Sequence, residues 1–190
     1  MEEDIKIVHF TGWHGTDESD AEEILRTNFE VSQGEDHWLG DGVYFFGEGV
    51  GNPSLLASSW AKSEAHKKKY LRFAVLKADI AVNDTAVLDL CQAKGIELFD
   101  KHRAYVLRQI RRSHRGFRLP DKAYCDSKVF EHIKQVADLE VIVMNFYVQF
   151  EENRIQRIFS RIPNCTFLCV SNPKDNINQD SINIVDRGAI

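Results

Sequence analysis

Phe10-Thr11-Gly12-Trp13-His14-Gly15-Thr16 and Trp38-Leu39-Gly40-Asp41-Gly42-Val43-Tyr44-Phe45-Phe46 are the two stretches around which the chain is organised. The first is an extended apolar run that ends in His-Gly-Thr. The second is a glycine-bracketed turn, a composition suited to tight reversal, feeding a strand rich in β-branched and aromatic residues. A glycine directly after His14 lets the backbone approach a ligand closely, so that its N–H and C=O serve as recognition groups. Tyr44 beside a flexible turn offers a flat face for stacking and a hydroxyl for a hydrogen bond. One imidazole, one backbone edge and one aromatic face together suit a flat, amide-bearing ring and its sugar.

Taken singly, each motif also has a plain reading. His-Gly-Thr recurs by chance, Gly-Asp-Gly before a strand is an ordinary hairpin turn, and a lone tyrosine is usually core. The ordered pair, with a capped helix between, is more informative. It resembles the ADP-ribosyltransferase superfamily, in the branch that holds the poly(ADP-ribose) polymerase catalytic domain. The family pattern is a strand ending in His-Gly-Thr, a helix, a Gly-x-Gly-(Val/Ile)-Tyr-Phe turn and strand, then a helix beginning with small residues. The corresponding pieces are His14-Gly15-Thr16, Ala21 to Thr27, Gly40 to Phe45, and Ala57-Ser58-Ser59-Trp60-Ala61. The match is specific over roughly residues 10 to 65; beyond that it is only topological.

The resemblance implies a mono-ADP-ribosyltransferase that uses NAD as co-substrate. His14 is expected on a ribose hydroxyl, the Gly15 backbone on the nicotinamide amide, and Tyr44 stacked on the ring. Thr16 supports the first strand and lines the same site, and Trp60 takes the place of a second aromatic against the nicotinamide. The family's third catalytic residue, usually Glu, comes from a late strand, and aligning that strand on Leu168-Cys169-Val170-Ser171-Asn172 puts Phe167 there. Phenylalanine neither accepts a proton nor binds a hydroxyl. Gln149, Glu151 and Glu152 are the nearby alternatives, and Glu151 is taken as the catalytic carboxylate. An inactive NAD- or ADP-ribose-binding module, an NAD glycohydrolase, and a transferase that removes RNA 2′-phosphate stay open. Small stand-alone members of the family act as toxins or phage-defence effectors, so an antitoxin partner is a further expectation.

The chain's 190 residues suit one domain, 1–190, with a core that needs no disulfide. An apolar share of 43% and an aromatic share of 11% exclude a disordered chain. A net charge of −5 argues against general electrostatic binding of nucleic acid, without excluding a local patch. Cys91 and Cys125 stand apart, while Cys165 and Cys169 fall on one face of a strand, as buried thiols rather than a metal site. An acidic start without an apolar signal region, and no run of membrane-spanning length, lead to the expectation of a cytoplasmic protein without membrane contact.

Along the chain, strands are expected at Ile5 to Phe10, Val43 to Phe46, Leu71 to Ile80, Val87 to Leu90, Leu139 to Met144, Tyr147 to Phe150, Cys165 to Val170 and Ile182 to Val185. Helices are expected up to Thr27 (with Ser19 and Glu22 as a capping box), and over Ser54 to Tyr70, Leu98 to Arg112 and Ser127 to Asp138. Gly47 to Pro53 is too glycine-rich for regular structure and is expected at a mobile edge of the cleft. Because strands and helices do not alternate, an α+β fold fits best, and the family resemblance adds two apposed, mainly antiparallel sheets flanked by helices around the NAD cleft. Arg103, Arg108, Arg111, Arg112, Arg115 and Arg118 concentrate positive charge on and beyond one helix. That stripe is either a solvated face or a polyanion surface, for the NAD pyrophosphate or a nucleic-acid acceptor.

Overall fold

The computed structural model describes residues 6–34, 37–113 and 124–190. Strand β1 (Ile7–Asp17) runs past its apolar start and through the whole His-Gly-Thr motif. Asp17 then ends the strand and caps helix α1 (Glu18–Thr27), its carboxylate accepting the Ser19 N–H at 2.9 Å. The helix therefore begins before the expected Ser19–Glu22 box, because Asp17 already satisfies one of the orphan amides of the first turn. After the aromatic strand β2 (Val43–Gly47), Asn52 caps helix α2 (Pro53–Lys68) by accepting the Leu55 N–H at 3.2 Å, with Pro53 in the first turn.

The second half supplies β3 (Arg72–Asn83), β4 (Val87–Asp89), α3 (Ala93–Ser113), α4 (Asp126–Ala137) and β5 (Val141–Phe146). It continues with α5 (Glu151–Ile155), β6 (Cys165–Val170), the short α6 (Pro173–Asn176) and β7 (Asn183–Ala189). Tyr147 to Phe150, expected as a strand, has no ladder; Gln149 instead uses its side-chain amide to hold the Ile158 carbonyl at 2.8 Å, and Phe150 leads into α5.

Among the described residues, the seven strands join one sheet in the order β4-β5-β6-β2-β1-β3-β7, antiparallel except for β4 with β5. The fold is thus α+β with a mixed, mainly antiparallel sheet, and the expected two apposed sheets are instead two wings of a single one. The join explains the difference. β1 and β2 pair only through Gly12↔Gly47 and Trp13↔Phe46, whereas β1 follows β3 from Ile7↔Asn83 to Asp17↔Phe73. A ladder of two pairs holds the wings together while letting them diverge beyond Trp13.

Each face of the sheet has its own core. On one, α2 and α4 cover Phe46, Val75, Ile142, Phe167, Cys165 and Cys169. On the other, α1 and the segment after α6 cover Phe45, Leu76, Ile80, Val141, Leu168 and Val170. β6 is buried at every position, as its continuous apolar sequence requires for a central strand. Cys165 and Cys169 are buried thiols, as their spacing predicts. Among the described residues no helix is long and apolar enough to cross a membrane.

Candidate functional site

The divergence of β1 from β2 opens a cleft of about 610 Å³. Its floor is the unpaired edge of β1. β2 remains paired with β6 back to Val43↔Val170, so His14 to Asp17 on one strand and Val43 to Phe45 on the other face each other without a ladder. The gap is bridged by one side chain: His14 Nδ1 lies 2.8 Å from the Tyr44 carbonyl oxygen. A carbonyl only accepts, so Nδ1 carries the proton, and in the neutral ring Nε2 is left as an acceptor. Phe29 and Phe45 hold the imidazole edge-on, with centroids 5.4 and 5.8 Å away.

The same bond orients Gly15. Carrying the β1–β2 register forward places Gly15 opposite Tyr44. In an antiparallel pair, two facing residues point their N–H and C=O groups either towards each other or away from each other. Since the Tyr44 carbonyl points at β1, the N–H and C=O of Gly15 point into the cleft. Glycine is also required there by packing, because a Cβ would sit 2.0 Å from the Ala57 carbonyl oxygen and 3.2 Å from the Ala61 Cβ. Helix α2 lies directly on β1, which no side chain at position 15 allows.

That close approach fixes the remaining walls. Ala57, Ala61 and Ala65 form the buried stripe of α2. Trp60, Glu64 and Lys68, at the same four-residue spacing, line the cleft. Opposite them stand Tyr44, Phe46, Phe167 and Trp38. Phe167 is 4.9 Å from the Phe46 ring and 6.2 Å from Tyr44. Trp38, 42% exposed, stacks on Phe146 at 4.6 Å and 18°, and its centroid is 6.4 Å from Trp60. Asp20, Glu23 and Ile24 of α1 close the far end, and Thr16 reaches Asp20 at 3.4 Å.

His14, Gly15, Thr16, Tyr44, Trp60 and Phe167 therefore all line one cleft. Glu151 does not. It stands in the first turn of α5, on the connection between β5 and β6, and is not among the described residues that line the cleft. Nor do Arg108, Arg111 and Arg112, which are exposed on α3 and absent from the cleft lining; Arg115 lies outside the described residues. The glycine loop is also elsewhere. Val50 N–H donates to Thr166 Oγ1 at 2.8 Å, so the loop is pinned at the opposite end of β2.

Sequence reasoning missed Trp38, Glu64 and Lys68 as cleft residues. Trp38 sits within the quoted turn, but nothing in the sequence shows its ring folding back over Phe146. Glu64 and Lys68 were legible in principle, one and two turns beyond Trp60.

Electrostatically the cleft is acidic, with Asp20, Glu23, Glu30 and Glu64 against Lys68 among the described lining residues. Burial, the larger influence, pushes the His14 pKa down, as does Lys68; the bond to the Tyr44 carbonyl and the nearby Asp20 oppose it. His14 is thus neutral at pH 7. Burial also raises the Tyr44 pKa. Its hydroxyl accepts the Leu39 N–H and donates to the Gly40 carbonyl, both at 2.8 Å. The phenol is fully engaged by its own turn, and only the ring face is left for a ligand.

No protein-family profile matches the chain. An uncharacterized protein of Methanocaldococcus jannaschii is 34% identical over 94 residues, which cover 49% of this chain and 42% of that relative. The chain thus matches less than half the length of that curated relative, whose name assigns no activity, and the functional reading is carried by the cleft.

Proposed function

We propose that the cleft binds NAD and that the chain transfers one ADP-ribose from it to a macromolecular acceptor. The observation that carries this reading is the combination at the β1–β2 gap: an Nε2 acceptor on His14, the backbone edge of Gly15, and the Tyr44 and Trp60 aromatic rings, all lining one cleft. The Gly15 N–H and C=O match the acceptor and donor of a carboxamide. His14 Nε2 accepts from a ribose hydroxyl. The aromatic walls and Glu64 suit the cationic pyridinium ring, and Lys68 is the lining cation available to the pyrophosphate. Heterolysis of the nicotinamide–ribose bond supplies an electrophilic sugar carbon, and positioning with nearby negative charge lowers that barrier.

With Phe167 at the family's third position and Glu151 away from the cleft, chain elongation is not part of the proposal. Glu64 is the partly buried carboxylate of the lining, its side chain 17% exposed and paired with the exposed Lys67 at 2.6 Å, and we assign its remaining negative field the electrostatic role. A second reading is favoured by one observation, the packing of Phe167 among Tyr44, Phe46, Phe146 and Trp38. An aromatic cage in place of a reactive carboxylate suits an NAD-binding module without turnover.

The two readings separate when the protein is incubated with adenylate-labelled NAD and the protein, nucleic-acid and small-molecule pools are resolved. Label in a macromolecular pool, absent with His14→Ala, supports transfer and names the acceptor class. Free ADP-ribose alone indicates glycohydrolysis, and intact NAD in every pool rules out the enzyme.

A further inference from the structure

The turn that holds the Tyr44 hydroxyl is itself held from outside the cleft. Asp41 N–H donates to Glu131 Oε1 at 2.8 Å, and the Asp41 carbonyl accepts from Lys134 Nζ. Glu131 and Lys134, one turn apart on α4, pair with each other at 3.1 Å. A single peptide residue thus has both of its backbone polar groups satisfied by one ion pair. The fit is close: Gly40 has φ +77°, and a Cβ there would lie 2.0 Å from Glu131 Oε1. The Lys134 side chain is only 10% exposed. Withdrawing an ammonium from water is costly unless it is both paired and hydrogen-bonded, and here the carbonyl of the turn supplies that second requirement.

The other side of the turn carries the ring. Leu39 N–H and the Gly40 carbonyl hold the Tyr44 hydroxyl, and Asp41 is the next residue in the chain. Any shift of the Asp41 peptide therefore moves the anchor points of the ring. Neither Glu131 nor Lys134 lines the cleft.

We infer that Glu131 and Lys134 are positioning residues that fix the Leu39–Gly42 turn and thereby set the Tyr44 ring for its ligand. The choice of NAD as ligand rests on the function proposed above; the positioning of the ring does not. A merely structural pair would dock α4 and leave the ring where it is.

The test uses the full chain with Glu131→Ala and Lys134→Met, the latter keeping the aliphatic stem and removing only the donor. Glu131→Gln keeps an acceptor oxygen and Lys134→Arg keeps a donor. Ile133→Val, in the buried face of α4, controls for loss of helix docking. Amide exchange at Leu39 and Asp41 and the Tyr44 ring resonances are read by NMR, and NAD affinity by titration. In Glu131→Ala and Lys134→Met, the expected results are faster exchange, shifted ring resonances and NAD affinity weakened by about tenfold, the scale of a disturbed aromatic stacking contact. Glu131→Gln and Lys134→Arg restore all three towards wild type, and Ile133→Val lowers Tm without moving them. Unchanged exchange and ring resonances in Glu131→Ala and Lys134→Met would overturn the inference, as would an equal change in Ile133→Val. If Glu131→Ala does not fold, Lys134→Met decides alone. Absence of NAD binding by the wild type would instead count against the proposed ligand, while the NMR measurements would still decide the positioning.

Discussion

His14 Nδ1 donates to the carbonyl oxygen of Tyr44 at 2.8 Å, thirty residues away in the chain, in the place where a β1–β2 ladder would otherwise continue. The bond has three consequences. It fixes the tautomer of His14, satisfies a carbonyl that the parting strands leave without a partner, and holds the wings of the sheet at the separation that forms the cleft. Structure and proposed chemistry depend on the same hydrogen bond.

Stability should therefore respond to pH through His14. Its folded pKa is depressed, chiefly by burial, while the unfolded value is about 6.5. More than about one pH unit above 6.5 both states are neutral and His14 contributes no pH dependence. As pH falls below that, the unfolded state takes up a proton first, so stability declines until the folded pKa is passed and then levels off. Chemical denaturation between pH 5 and 8 is expected to show this decline, and His14→Gln is expected to remove it.

Gly15→Ala is expected to damage both fold and site. The new methyl meets the Ala57 carbonyl of α2, a backbone atom that no rotamer change can move. Overpacking of this kind costs about 1–3 kcal/mol, measurable as a lower midpoint in urea. Because α2 must retreat from β1, carrying Trp60 with it, ligand affinity falls as well.

The carboxylates divide by position. Glu64→Gln is expected to slow NAD turnover by about 100-fold, the scale for removing one preorganised electrostatic group, while leaving binding of a non-reactive NAD analogue nearly unchanged. Glu151→Gln, outside the cleft, leaves both unaffected. Steady-state kinetics beside analogue titration distinguish them, and equal decreases in the two variants would contradict the assignment.

Arg108, Arg111 and Arg112 are exposed on α3 and absent from the cleft lining. Replacing all three with Glu is expected to leave NAD affinity unchanged. If α3 carries a nucleic-acid acceptor, the same triple variant lowers affinity for single-stranded RNA or DNA. The slope of log affinity against log salt then becomes shallower by about 0.7 for each phosphate that is no longer neutralised. A salt titration of binding measures this directly.

How much of this was legible beforehand follows from which interactions are local. β2, β6, α2 and α4 stand close to where periodicity and composition put them, because each buries a face that its own sequence declares, whereas α3 begins at Ala93, five residues before the expected Leu98, and α1 before its expected capping box. Gly15 and Tyr44 were readable as a pair from the chemistry of their two motifs and from the resemblance; the strand gap that joins them depends on a ladder of two pairs, which no single segment encodes. Glu151 is absent from the described cleft lining, and the segment before it is not a strand: Asn164 takes up both the N–H and the C=O of Val148 through its side-chain amide, an alternative to ladder pairing that alternation cannot reveal. The clamp of Glu131 and Lys134 on Asp41 spans 90 and 93 residues and carries no sequence signal beyond an ordinary helical ion pair.

The most direct test is a calorimetric titration of NAD into the wild-type chain, His14→Ala and Tyr44→Ala, with each variant's folding confirmed by circular dichroism. The expected result is saturable one-to-one binding by the wild type, weakened at least about tenfold in each variant, as removal of a buried hydrogen bond or a stacked ring entails. No binding by the wild type, or equal binding by all three folded proteins, would contradict the account of the cleft.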